Sequence, residues 1–171
     1  MRKEKFFFVI VLTVVSLFVL ISLVGVRAAD TGTVTATVTA QNIALTVSDG
    51  TITYGTMGIG SSAATIASGL NDSQDAVNTG NVTSKFNIKG QNSTNWTLGA
   101  NPGSETYSHK FCTSSCDASP SWTALTTSYA TLVASIGVGA TQNFDLIVYT
   151  PSSTANYTQQ SVDVTVQVTT P

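Results

Sequence analysis

Basic residues are scarce in this chain. Seven lysines and arginines stand against nine acids, and beyond Arg27 only Lys85, Lys89 and Lys110 remain. A basic stripe that could follow a phosphate backbone is missing, which argues against nucleic acid as a partner. The chain has one histidine, His109, and two cysteines, Cys112 and Cys116. That set falls short of the four nitrogen or sulfur ligands of a structural zinc centre, and a haem attachment would place the histidine after the cysteines rather than before them. No Gly-x-Ser-x-Gly elbow accompanies the histidine, so a serine triad has no frame. The few carboxylates carry no context that marks a glycosidase pair. Asp72 and Asp75 share the loop NDSQD, without the glycine and closing glutamate of an EF-hand. The expectation is therefore a protein with no catalytic residue, no metal and no cofactor. Amphipathic helical spacing is also lacking, and only one long apolar run occurs.

That run opens the chain. Arg2, Lys3 and Lys5 precede uncharged, mostly apolar sequence from Phe6 to Val26, and Val26-Arg27-Ala28 sets small or aliphatic residues three before and one before a cut after Ala28. This is the layout of an export signal. Residues 1–28 are read as a signal peptide and 29–171 as a single domain. The run is also long enough to span a bilayer, so an uncleaved N-terminal anchor is the alternative and the one expected route to a membrane. Either way the basic end stays in the cytoplasm and the body lies outside it, secreted or at the cell surface. A type IV pilin leader fits less well, since no glycine precedes the apolar run and no glutamate follows early within it.

Three lysines and eight acids remain after residue 28, leaving a net charge of −5. With so little charge, solubility falls to Thr, Ser, Asn and Gln, as on threonine-rich sheet faces. Period-two alternation is clear in several places. SVDVTVQV sets Val162, Val164, Val166 and Val168 on one face, and KFNIK sets Phe86 and Ile88 inward. TVTATVTA sets Val34, Ala36 and Val38 inward and is expected to be the first strand of its own domain. FDLIVY is apolar on both faces, as in a central strand. The expected core comprises Phe86, Ile88, Phe144, Leu146, Val148, Val162, Val164 and Val166. Asp49-Gly50 between IALTV and TITYG predicts a two-residue hairpin turn. Further turn signals at Asn71-Asp72, Asn78 to Asn81, Asn101-Pro102-Gly103 and Pro151 to Ser153 divide the chain into about nine short strands, predicting an all-β fold of two packed antiparallel sheets behind an N-terminal signal helix.

The stretch DAVNTGNVTSKFNIKGQNSTNWTLG resembles immunoglobulin-like domains of prokaryotic envelope proteins. In those, a strand ends in Asn-x-Gly-Asn, an alternating strand follows, and a tryptophan closes the next segment. Asn78, Gly80, Asn81, Phe86, Ile88, Gly90 and Trp96 occupy those places. The segments YSHKFC, SWTAL, FDLIVYTP and YTQQSVDVTV make the rest of the chain similar to small secreted proteins of bacterial candidate phyla. The resemblance implies an immunoglobulin-like β-sandwich at the cell surface and brings no activity with it.

For Cys112 and Cys116 an exported chain predicts a disulfide, closed over Thr113-Ser114-Ser115, with free thiols and a metal as the alternatives. Tyr107, His109 and Phe111 share one strand face, which makes His109 an aromatic neighbour in the packing rather than a catalytic group. A structural or interaction role is expected, with partners among other surface proteins or further copies of the chain. One version is donation of TVTATVTA to a neighbour's sheet edge. The competing class is a carbohydrate-binding module, in which Trp96, Trp122, Tyr107 and Tyr129 would be ligand-facing aromatics for a polysaccharide.

Overall fold

The computed structural model describes residues 31–171. The expected signal helix and the cut after Ala28 lie outside the described residues. Ten strands follow in chain order: β1 (Leu45–Val47), β2 (Ser62–Ala64), β3 (Gln74–Asn78), β4 (Ser84–Lys89), β5 (Thr97–Leu98), β6 (Thr106–Cys112), β7 (Thr123–Ala124), β8 (Ala130–Ile136), β9 (Thr141–Tyr149) and β10 (Thr165–Thr169). Among the described residues there is no helix, and the fold is all-β.

The larger sheet runs β1-β3-β9-β6-β5, with β2 also on β9 and β7 also on β6, and the smaller runs β10-β4-β8. Every pairing is antiparallel except β5 with β6. Buried side chains from both sheets form one core cluster: Phe86, Ile88, Leu132 and Ile136 from the smaller, and Ala76, Phe111, Phe144 and Leu146 from the larger, with Leu125 beside them. The alternation of β4 gives this core its centre. Phe86 and Ile88 are fully buried, and they pair with Val168 and Val166 of β10. Burying each such side chain is worth about 1.5–3 kcal/mol.

β9 is central, and residues on both of its faces are buried. Phe144 and Leu146 face the core, while Asp145 on the other face is buried as well. It is tolerated there because the Thr65 and Ser73 hydroxyls donate to its carboxylate at 2.7 and 2.5 Å. A buried carboxylate without such donors would be costly.

The Asn78 to Asn81 turn locks three elements together. The Asn78 amide donates to the carbonyls of Val82 and Ile136 at 2.9 and 3.1 Å, and its oxygen accepts from the Gly80 N–H at 3.0 Å. Gly80 is needed for close approach, since a Cβ there would lie 2.5 Å from the Asn42 carbonyl oxygen. Asn81 completes the junction by accepting from the Asn42 N–H at 2.7 Å and donating to the Ala40 carbonyl at 2.8 Å.

Three sequence expectations are corrected. TVTATVTA is not a strand: residues 31–40 hold no regular element and are exposed, with Val34 at 91% and Val38 at 96% exposure. Their alternation has no pairing partner among the described residues. Asp49-Gly50 does not close a hairpin either. Both residues take positive φ, 60° and 71°, as a type I′ turn requires, yet β1 pairs with β3 and Thr51–Tyr54 joins no strand. Ile52 instead packs against the core, and the Tyr54 hydroxyl meets His109. Finally, SVDVTVQV is a strand only from Thr165, because its partner β4 ends at Lys89 opposite that residue. Val148, Val162, Val164 and Val166 are half-buried, and Val164 and Val166 pack against the core cluster.

Candidate functional site

The sequence-predicted residues lie in separate places. Cys112 and Cys116 are bonded to each other, with their Cα atoms 5.8 Å apart. Both are buried. The bond follows the end of β6 and precedes β7, which pairs with β6 at Lys110 and Phe111. The ring thus clasps the β6–β7 connection.

His109 is 3% exposed on β6, opposite Val148 of β9. Its Nε2 lies 3.0 Å from the Tyr54 hydroxyl, and its Nδ1 is buried without a hydrogen-bond partner. Burial pushes the imidazole down to about 4, so the ring is neutral at pH 7. The same burial, with a smaller contribution from Asp72, holds the Tyr54 hydroxyl well above its ordinary value. A neutral imidazole and an un-ionised phenol thus pack edge to face, with ring centroids 5.8 Å apart.

The four aromatics considered for sugar stacking do not present one exposed face. Tyr107 is 2% exposed and donates its hydroxyl to the Gln91 carbonyl, and burial raises that hydroxyl to about 12. Trp96 is half-buried and donates its indole N–H to Thr154 at 3.0 Å. Trp122 is half-buried, and Tyr129 is exposed with the Lys89 ammonium 4.8 Å from its ring centre. The carboxylates of Asp72 and Asp75 serve other partners, the amides of Gln74 and Asn143. Among the described residues no group of three or more potential ligands gathers for a metal.

What the structure does assemble is an open cleft of about 740 Å³ over the inner face of the larger sheet. Phe144, Leu146 and Val148 of β9 line it, together with Val162, Val164 and Val166 in and before β10. Tyr54 and His109 line it also, and it reaches solvent at Ile59 and Tyr157. One wall is the segment from Thr154 to Gln160. That wall is held by Glu105, whose carboxylate accepts from the Ala155 N–H at 2.5 Å and the Thr154 hydroxyl at 2.7 Å. The backbone N–H first, and the hydroxyl second, draw the Glu105 carboxyl below its usual range. The one charged side chain in the lining is Asp163.

Beside this cleft the outer edge of β10 carries no strand among the described residues. A sheet edge of that kind presents unpaired N–H and C=O groups. Sequence reading did not find the cleft, because its lining comes from segments far apart in the chain. The signal that pointed nearest to it was the valine parity of SVDVTVQV, which runs on past the last paired residue. No protein-family model, curated protein or solved structure matches the chain.

Proposed function

We propose that the chain is an exported, non-enzymatic structural protein of the cell surface, an immunoglobulin-like sandwich whose copies join by strand addition. The observation that carries this reading is the segment Thr31–Val38: a strand-competent, uncharged, alternating sequence with Val34 and Val38 almost wholly exposed. Exposed alternating valines are costly in water unless a partner covers them. The disulfide supports an extracytoplasmic location, since such bonds persist in oxidising compartments. The basic N-terminus with its apolar run supports export.

Negative-stain microscopy of the secreted protein tests assembly, with fibres or chains of particles expected. Isolated particles at every concentration would overturn it. A carbohydrate-binding module would have to be built on Trp122 and Tyr129, since Tyr107 is buried and the Trp96 indole N–H is taken by Thr154.

A further inference from the structure

We infer that the exposed segment of one copy, residues 33–40, is received by the cleft of a second copy, where it adds to the free edge of β10 and turns Val34, Ala36 and Val38 inward. This rests on the assembly reading and names its acceptor. Four observations support it.

The first is a matching deficit on the two sides. Residues 33–39 have exposed side chains and no backbone hydrogen bond among the described residues, and the Ala40 carbonyl alone is engaged, by the Asn81 amide. The cleft is lined by half-buried valines at 148, 162, 164 and 166, beside Phe144 and Leu146, which are already buried. Strand addition would satisfy both at once, with main-chain bonds supplying affinity and alternate side chains supplying register.

The second is the missing strand itself. Val162 and Val164 continue the parity of β10, yet Ser161–Val164 has no neighbour on β4, which ends opposite Thr165. A partner for these four residues is therefore available only from outside the smaller sheet.

The third is charge. Residues 31–40 carry none, and the cleft lining holds a single carboxylate, Asp163, which is exposed to solvent. An uncharged strand meets no uncompensated ion there.

The fourth is direction, which selects a second copy. Leu45 of β1 pairs with Asn78, and the chain before it runs on past Thr79 to Asn81, where Asn81 grips Ala40 and Asn42. On β9, the residues toward that end are Thr141 and Gln142, opposite Val77 and Ala76. The cleft lies over the other half, from Phe144 to Val148. The backbone from Val47 back to Ala40 thus leads away from its own cleft.

The test uses a synthetic peptide of residues 31–40 carrying photo-leucine at the Val38 position, and the full mature chain with the substitutions V34D and V38D. Both substituted side chains are exposed, so the variant keeps its fold while its own segment no longer competes. The peptide should bind this variant one to one and, on irradiation, cross-link within Phe144–Val148 or Ser161–Val166. A peptide with aspartate at positions 34 and 38 should bind roughly 100-fold more weakly. Wild-type chain diluted below assembly should take the peptide as well as the variant does.

Failure of the peptide to bind, or cross-links confined to another surface, would overturn the acceptor site. If fibres still formed, the assembly reading would stand without it. Refusal of the peptide by dilute wild type alone would also overturn the inference, since the segment would then fill its own cleft. Binding is read on soluble protein, so it decides the acceptor site whatever microscopy finds.

Discussion

TVTATVTA and SKFNIK carry the same period-two pattern and meet opposite fates. In β4 the inward residues Phe86 and Ile88 have no exposure at all, and strands lie on both sides, β10 and β8. In the N-terminal segment Val34 and Val38 are exposed at 91% and 96%. Alternation therefore marks a segment as competent to be a strand, because one side of a pleated chain is then uniformly apolar. It does not say whether the partner belongs to the same chain. Burial of large side chains in β4 drives its pairing from within, whereas the smaller valine and alanine side chains of the other segment stay exposed.

Breaking the stronger side of this contrast should have the largest effect. Phe86→Ala removes a fully buried ring from the centre of the core, and urea titration should record a loss of about 3–5 kcal/mol. A loss under about 1 kcal/mol would mean that β4 is no more committed to the body than the N-terminal segment.

The next effect is a pH dependence that belongs to the body alone. His109 titrates near 4 when folded and near 6.5 when unfolded, so the unfolded chain binds the additional proton between those values. Stability is then fully present above about pH 6.5 and falls as pH drops towards 4, by on the order of 3 kcal/mol. His109→Gln should flatten that window in denaturant titrations taken at successive pH values. An unchanged slope in the variant would assign the proton uptake elsewhere.

Replacing Cys112 and Cys116 together by serine opens a five-residue ring, for which chain entropy gives about 2 kcal/mol at most. Thermal or urea unfolding should show a loss no larger than that, with the strand content by circular dichroism kept. Asn81→Ala acts at the junction between the contrasted regions. It frees the Ala40 carbonyl and the Asn42 N–H at an exposed site where water replaces the bonds, costing about 1 kcal/mol. Amide exchange should speed up at Asn42 and leave Phe86 and Ile88 protected. Smallest of all, Val34→Ala and Val38→Ala should change the stability of the dilute chain by less than about 0.5 kcal/mol. A larger change would show that the segment already has a partner within its own chain.

Much of the body was legible in the sequence. The parity of KFNIK placed Phe86 and Ile88 inside, and the run FDLIVY located the central strand. Parity cannot see past a strand's end, however. SVDVTVQV keeps its pattern through four residues that lack a neighbour, since β4 stops at Lys89. The Asp49-Gly50 turn has the backbone angles of a hairpin, and burial of Ile52 and contact of Tyr54 with His109 drew the following segment across the inner face instead. For the cleft, no local signal existed. Its walls come from β9, from the residues around Tyr54 and from the segment after Thr154, and only their approach in space creates it.

By itself the sequence determined which segments could be strands, that charge would be scarce, and that two cysteines four residues apart could close one small ring. These follow from side-chain period and from the reach of a short chain, both local properties. Tertiary structure alone decided which strand-competent segments found partners, which distant residues line the cleft, and that Asn81 holds the chain at Ala40 and Asn42. Those outcomes depend on competition among distant segments for one limited apolar surface, and no window of sequence contains all the competitors.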